Sequence, residues 1–388
     1  MLRNTTEFSA SKKIKLKIGI LGGGQLARMI MEECYKFGHE FHILSNERES
    51  PAGQLTKFEC IGNWNNKECL SSFSKDCDII TLENEFIDYQ SLEFLDNYGK
   101  EVLPSSSIIK MIQDKLIQKK TLHKFGIPSA EFTEVNSAND IEDFTGKYGY
   151  PVVLKSRTMG YDGKGNYTIK SGDDIEPALK LLSERGKLMC EKYVNFDTEI
   201  ATQVVRSKSG EVRVYPVVET IQKNHICNLV IASEKKFGSI IFHIKAIAEK
   251  IVNELNYAGV MGIEMFLKGD EILVNELAPR VHNSGHYTIE GCRTSQFENH
   301  IRAILDLPLG STGMTTPCSV MINILGSKNH KACLKGAEKI LKMENVFLHV
   351  YGKKETREGR KMGHITVNDK DMKNAIDTAK RCREEIEI

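Results

Sequence analysis

Ile263-Glu264-Met265-Phe266-Leu267-Lys268-Gly269-Asp270-Glu271-Ile272-Leu273-Val274-Asn275-Glu276-Leu277-Ala278-Pro279-Arg280 is the stretch on which the reading of this chain turns. Its two apolar arms flank Lys268-Gly269-Asp270, turn chemistry in which Gly269 can take φ > 0. The run therefore reads as a β-hairpin. Strand alternation puts Glu264 and Glu276 on one face when they stand opposite or nearly so, with residue 274 sharing that face in other registers. A one-residue slip would undo the arrangement. Two opposed carboxylates destabilise a hairpin unless a cation lies between them. Hard oxygen ligands shared with phosphates describe a Mg²⁺ site, which needs only one or two protein carboxylates. A surface hairpin with solvated acids remains the alternative, and the basic, polar exit through Arg280, His282, Asn283, Ser284 and His286 weighs against it.

Upstream, residues 151–155 form a strand that runs into Gly160-Tyr161-Asp162-Gly163-Lys164-Gly165. Three glycines give this segment backbone freedom and uncovered N–H groups that can wrap phosphate oxygens, as a flap would. The G-K-[ST] ending of the common phosphate loop is absent, so a plain structural turn is the competing reading. Lys155 ends the strand before the flap and suits contact with phosphates. Lys115 lies on an amphipathic helix over 108–125, ended by Gly126 and Pro128, where a solvated helix face is the stronger reading of that lysine alone. Glu191-Lys192-Tyr193-Val194 closes a strand over 187–193, where open backbone groups could read an adenine edge, and Glu199 follows near enough to hold a ribose. Further strands are expected over 200–206 and 212–218, and a long helix over 240–255. The middle of the chain is thus α+β.

Farther out, residues 15–21 form a short β-branched strand running into Gly22-Gly23-Gly24-Gln25-Leu26-Ala27, followed by a helix over 28–37 and a strand over 40–44. This is one βαβ unit of an α/β domain. Gly22-x-Gly24-x-x-Ala27 has the form of a dinucleotide fingerprint, but such a helix start holds any anion, and Asn46 and Glu47 do not supply a clean ribose carboxylate. Close packing explains the glycines equally well. A buried strand over 77–82 delivers Glu83-Asn84-Glu85 at its carboxyl end, where open α/β sheets bind ligands. Near the other terminus, Lys353, Lys354, Arg357, Arg360 and Lys361 crowd before Met362-Gly363-His364: either a solvated cluster or a seat for a substrate phosphate.

With 388 residues the chain exceeds one ordinary core, and two or three domains are expected. The expected divisions are a disordered tail over 1–14, an α/β domain over 15–107, a two-part domain over 108–310 split near 186, and a small domain over 311–388. Net charge is +1, with 53 basic and 52 acidic residues, so there is no electrostatic case for nucleic acid or an anionic membrane. Ten scattered cysteines without C-x-x-C spacing suggest free thiols in a reducing cytoplasm. No apolar run reaches membrane-spanning length. His282 and His286 are four apart, but no further histidine stands at ligand spacing, which argues against zinc.

Taken together, Gly160 to Gly165, Glu264, and Asn275-Glu276-Leu277-Ala278-Pro279-Arg280-Val281-His282-Asn283-Ser284-Gly285-His286 resemble the 5-(carboxyamino)imidazole ribonucleotide synthases, ATP-grasp ligases of purine biosynthesis. Gly22-Gly23-Gly24-Gln25-Leu26, Ser295-Gln296-Phe297-Glu298 and Gly359-Arg360-Lys361-Met362-Gly363-His364 support the likeness, which runs from about residue 15 to at least residue 367. The resemblance implies an ATP-grasp fold with a Rossmann-like preATP-grasp N-terminal domain and a small C-terminal domain, in a homodimer. It implies ATP between the two halves of the core, with Lys115 and Lys155 on its phosphates under the flap residues Gly160, Gly163 and Lys164. Glu191, Lys192 and Val194 would meet the adenine, Glu199 the ribose, and Asn275 the same nucleotide. Glu264 and Glu276 would hold Mg²⁺, or Mn²⁺ in its place.

Activity follows from the resemblance too: bicarbonate activated by ATP as carboxyphosphate, then attacked by the amine of aminoimidazole ribonucleotide. Arg280, His282 and Asn283 match family residues at the reacting groups. Gly24, Gln25, Leu26, Glu83, Tyr161, Asp162, Lys353 and Arg360 match those lining the ribonucleotide site. Met159 stands where the family usually has Gly, and Asn166 where Gln is usual. An ATP-grasp ligase using formate on a related ribonucleotide is the nearest rival, less well matched by His282-Asn283-Ser284-Gly285-His286. An NAD-dependent oxidoreductase would give Glu264 and Glu276 no role.

Overall fold

A computed structural model describes residues 15–158, 160 and 165–388. The expected tail over 1–14, Met159 and the flap residues Tyr161, Asp162, Gly163 and Lys164 lie outside the described residues. The first domain is a four-stranded parallel sheet in the order Glu59–Ile61, Glu40–Ser45, Lys17–Leu21, Ile79–Leu82. Its strands are nearly continuous apolar runs, as parallel strands covered on both faces must be. Helix Gln25–Cys34 starts three residues earlier than its apolar periodicity suggests, directly after Gly24. Gly22 sits at φ 103, and a Cβ on Gly24 would come within 2.5 Å of the Glu83 carboxylate. The glycines therefore permit close approach, and Glu83 itself accepts from Gly24 N (2.7 Å) and Ala27 N (3.3 Å). The helix end is capped from within, by an anion the chain supplies.

The expected single helix over 108–125 is two helices, Ser106–Gln113 and Lys115–Lys124. Asp114 stands between them with extended backbone, and its carboxylate accepts from Leu116 N and Ile117 N while Arg157 clamps it. A side chain that bonds the local backbone competes with helix continuation, and here it restarts the helix instead. The second helix begins at Lys115, and Gln118 and Lys119 fasten it to strand Glu271–Ala278 through Leu277 N and the Val274 carbonyl. Next to it stands an antiparallel sheet in the order Phe132–Val135, Leu188–Lys192, Val152–Ser156, Asn166–Ile169, covered by helices Ala138–Tyr148 and Ile175–Leu182.

The expected strand over 212–218 is also divided. Val212–Val214 pairs with Thr198–Arg206, and Val218–Lys223 resumes after Tyr215-Pro216-Val217, because Pro216 has no N–H to donate to a ladder. A strand absent from the sequence reading, Ile226–Ser233, returns through Asn224 (φ 53) and His225 (φ 61). Both positive φ values are those of a two-residue hairpin loop, here without the usual glycine. The large sheet runs Glu271–Ala278, Gly259–Lys268, Thr198–Arg206, Val218–Lys223, Ile226–Ser233, Cys318–Leu325, Lys361–Asp369, Val346–Val350. Strands from beyond residue 311 thus extend the sheet that carries the hairpin, backed by helix Met372–Glu385.

Candidate active site

The hairpin register sets Glu264 directly opposite Glu276. A bulge follows, so that Met265 faces Val274 and Asn275 is the extra residue. Residue 274 does not share the acidic face as alternation alone suggested: Val274 is buried with Ile263, Met265 and Leu277 in the core behind the hairpin. The bulge restores the apolar face and leaves the two acids side by side. Burial, with Glu276 and then Glu199 adding repulsion, pushes the Glu264 carboxyl up to about 7. Lys115 Nζ reaches Glu276 at 2.8 Å, and His282 Nε2 stands 3.5 Å from Glu264. Burial would lower the Lys115 pKa, yet Glu276 holds it above its ordinary value.

One lysine against two acids leaves a net negative charge that a divalent cation would neutralise. Among the described residues no three His, Cys, Asp or Glu side chains converge as a metal site complete in itself. Two carboxylates are enough for Mg²⁺, which relies on one or two of them plus phosphates and water.

A cavity of about 310 Å³ gathers Gln25 of the first domain with Asn166, Glu199, Glu264, Asn275, Glu276, Arg280, His282 and Asn283. A second, of about 270 Å³, lies on the other side of Glu276 and is lined by Glu85, Lys115, Thr158 and Gly160. Arg280 makes a two-pronged pair with Glu85, with Nη2 at 2.8 Å from Oε1 and Nε on Oε2, and Nη1 donates to its neighbour's carbonyl, Val281 O. Gly262 on strand Gly259–Lys268 admits His282 alongside: a Cβ there would stand 2.7 Å from the His282 Cβ. Burial, with Arg280 and Lys361 nearby, holds His282 neutral, well below its usual range. Its Nδ1 is 2.8 Å from Ser284 Oγ. Gln296 grips the same loop, accepting from His282 N (2.9 Å) and donating to His282 O (2.7 Å). Asn283 forms a reciprocal amide pair with Asn323.

Behind this cleft Glu191 accepts from Lys155 at 2.6 Å and faces Lys119 at 3.4 Å. Burial alone would raise its pKa, but Lys155 and Lys119 bring the carboxyl down to about 2. Lys192 follows at the exposed end of that strand, and Val194 lies just beyond it. In the basic cluster near the other terminus, Lys353 donates to the Lys361 carbonyl at 2.6 Å. Burial, with Arg360 adding repulsion, lowers the Lys353 ammonium to about 7. Arg360 donates to Glu355 O and lines a separate, shallow cavity with Lys331 and Arg357. The basic cluster is therefore divided: Lys361 reaches the main cavity, and Arg360 faces outward.

Comparison with known proteins bears on these features together. The ribonucleotide synthetase preATP-grasp domain matches residues 15–113, the ATP-grasp domain residues 120–297, and the phosphoribosylaminoimidazole carboxylase C-terminal domain residues 319–378. The N5-carboxyaminoimidazole ribonucleotide synthase of Synechococcus elongatus is 37% identical, over 90% of this chain and 89% of that protein. The synthetase of Thermotoga maritima, a crystal structure, is 42% identical with a TM-score of 0.86, covering 96% of this chain and 99% of that one. This chain belongs to the N5-carboxyaminoimidazole ribonucleotide synthase family.

Among related structures is the Aspergillus clavatus N5-carboxyaminoimidazole synthase in complex with ADP and 5-aminoimidazole ribonucleotide, 38% identical with a TM-score of 0.87 over 96% of this chain and 99% of that one. The phosphoribosylaminoimidazole carboxylase of Ogataea methanolica is 41% identical, and this chain covers 92% of itself and 67% of that longer protein. The fold is thus the ATP-grasp fold of this family, with its preATP-grasp and C-terminal domains. Three positioning residues receive no role from the sequence: Glu85 reads only as part of a strand end, Gln296 only as part of a motif that supports the resemblance, and Lys119 carries no local signal, its partner Glu191 lying far along the chain. No helix among the described residues is long and apolar enough to cross a membrane.

Proposed function

We propose that this chain is the ATP-dependent ligase that carboxylates 5-aminoimidazole ribonucleotide with bicarbonate, releasing ADP and phosphate on the route to purine nucleotides. The observation that carries the reading is one cavity in which the opposed Glu264 and Glu276 meet Arg280, His282 and Asn283. Lys115 and Lys155, with the flap from Gly160 through Gly163 and Lys164, would hold the phosphates of ATP. The strand end at Glu191, Lys192 and Val194 would meet its adenine, and Glu199 its ribose, with Asn275 beside them. Lys119 and Lys155 keep Glu191 ionised, so this wall presents fixed charge and needs no rearrangement as the nucleotide arrives. Glu264 and Glu276 would hold Mg²⁺ (or Mn²⁺), which when bound neutralises the phosphoryl oxygens.

Bicarbonate is a poor electrophile. One of its carboxylate oxygens bonds to the γ-phosphorus as the bridging P–O bond breaks and ADP leaves with the electron pair. The ribonucleotide amine then attacks the carbonyl carbon, the C–O bond to phosphate breaks, and the amine gives up a proton. Arg280 would turn from Glu85 to the bicarbonate carboxylate and steady its charge. His282 and Asn283, held by Ser284, Gln296 and Asn323, would orient the reacting groups. Carboxyphosphate hydrolyses in water, which gives the flap and the closing domains their purpose. Gly24, Gln25, Leu26 and Glu83 on the first domain, Tyr161 and Asp162 on the flap, and Lys353 on the last would enclose the ribonucleotide, and Arg360 would join them only by turning in from the separate cavity it lines.

Functional divisions near residues 107, 186 and 310, a homodimer and a cytoplasmic location belong to the same proposal. ADP release measured with bicarbonate, Mg²⁺ and aminoimidazole ribonucleotide, each omitted in turn, tests it. Release should require all three, and formate outperforming bicarbonate would sink the assignment.

A further inference from the structure

Beneath the reaction cavity a strip of polar side chains runs along one face of the large sheet. Its register places Ser319 opposite Asn368, and Thr366 and His364 follow on the same face of strand Lys361–Asp369. Helix Thr288–Gly291 lies over this face, with Asn368 Nδ2 donating to the Glu290 carbonyl at 3.0 Å. Among the described residues, His286 Nε2, His364 Nε2, Thr366 Oγ1, Asn368 Oδ1, Ser319 Oγ and Glu290 Oε2 are buried without a protein hydrogen-bond partner. Each such atom costs about 1–3 kcal/mol if left unsatisfied. Together they would cancel much of the stability of an ordinary domain, ~5–15 kcal/mol. Their concentration in one strip points to buried water as the missing partner.

The strip has an inner and an outer end. His286 lines the reaction cavity, and its ring lies 5.1 Å from that of His364. His364 stacks on His349 at 4.4 Å with 9° between the planes, and Tyr351 Oη meets its Nδ1 at 2.9 Å. His349, with its side chain 23% exposed, pairs with Glu290 at 2.6 Å, and Glu32 and Glu33 on helix Gln25–Cys34 add negative charge there. Gln296, whose amide oxygen is fixed by His282 N, can only donate toward His286 Nδ1. His286 therefore carries its proton on the unpartnered Nε2. Burial, with Lys361, His282, His349 and Arg280 near His286, keeps both inner rings neutral. A neutral imidazole accepts a proton at one nitrogen while releasing one from the other.

We propose that His286, His364 and the His349–Glu290 pair, joined by buried water, conduct to solvent the proton shed in the reaction cavity. The inference rests on the carboxylation reading above, which releases a proton from the amine when the N–C bond forms. On that reading the site keeps bulk water from carboxyphosphate, so the proton needs a route of its own. Of the relay residues only His286 lines the cavity; His364, His349 and Glu290 would not touch substrate.

His364→Phe keeps a ring in place and removes both nitrogens. In single-turnover carboxylation at saturating substrates, His364→Phe should slow the chemical step by at least about tenfold and raise the solvent deuterium isotope effect, with KM for ATP and ribonucleotide nearly unchanged. His349→Gln, at the outer end, should do the same to a smaller degree and serves if His364→Phe does not fold. Wild-type single-turnover rates in the folded variants, or raised KM values with the rate intact, would overturn the relay. Absence of bicarbonate-dependent ADP release from the unaltered enzyme would instead overturn the carboxylation reading.

Discussion

Glu276 touches most of what the site requires: it opposes Glu264, pairs with Lys115 and separates the two cavities. Replacing it with Gln keeps the shape and removes the charge that Mg²⁺ would meet. Bicarbonate-dependent ADP release should fall by at least about 10²-fold in Glu276→Gln, while the melting temperature stays level, because a repulsion with Glu264 goes at the same time. Near-normal turnover would take Glu276 out of the metal site. Lys353 makes a second test at this scale. Its ammonium sits at about 7 in the free protein, so above that pH it is mostly neutral. A ribonucleotide phosphate placed beside it would favour the charged form, and binding would then take up a proton. Ribonucleotide affinity should weaken as pH rises above about 7, by up to tenfold per unit. Calorimetry in buffers of different ionisation heat should register the proton uptake, and Lys353→Met should abolish both effects. An affinity indifferent to pH from 7 to 9 would separate Lys353 from the phosphate.

At the level of elements, Asp114 decides where the helix bearing Lys115 begins. Its carboxylate caps that helix and binds the buried Arg157, which also contacts Glu134 at 2.6 Å. Loss of the cap and a half-stranded guanidinium should make Asp114→Ala about 2–4 kcal/mol less stable. Lys115 would lose its fixed start, so the KM for ATP should rise more than that for ribonucleotide. Chemical denaturation and initial rates measure the two. The hairpin, the βαβ unit and the flap strand could be read from the sequence because alternation, turn chemistry and glycine spacing are local. The break at Asp114 could not: residues 108–125 have helical periodicity throughout, and the carboxylate that caps the second helix is held in place by Arg157, far along the chain. Strand Ile226–Ser233 was missed because its hairpin loop, Asn224-His225, lacks glycine. The bulge at Asn275 likewise leaves no mark, although both site acids are legible from spacing; the roles of Glu85, Lys119 and Gln296, which hold Arg280, Glu191 and His282, are not.

Across the whole molecule, the first domain meets the ATP-grasp core through a buried histidine. His300 on helix Gln296–Ile304 bonds Thr81 Oγ1 of strand Ile79–Leu82 at 2.9 Å, and its Nδ1 accepts from Val260 N of strand Gly259–Lys268 at 3.1 Å. It thus joins the sheet that ends in Glu83 and Glu85 to the arm that carries Glu264. Burial lowers its pKa to about 4, against an ordinary 6.5. Between those values the unfolded chain binds a proton that the folded chain refuses, so folding stability falls as pH falls. The contribution is complete above pH 6.5 and lost progressively down to about 4. For this one group it amounts to about 3 kcal/mol, at ~1.4 kcal/mol for each pH unit. His282, His286 and His364, also buried and neutral, add to the same acid loss. His300→Gln can keep a donor and an acceptor without the titration. Its unfolding free energy should be lower at pH 7 but flatter from 6.5 to 4, by close to one proton, in urea melts across that range. A slope equal to that of the unaltered protein would mean that His300 is already charged in the fold, and that the junction between first domain and core does not depend on its neutrality.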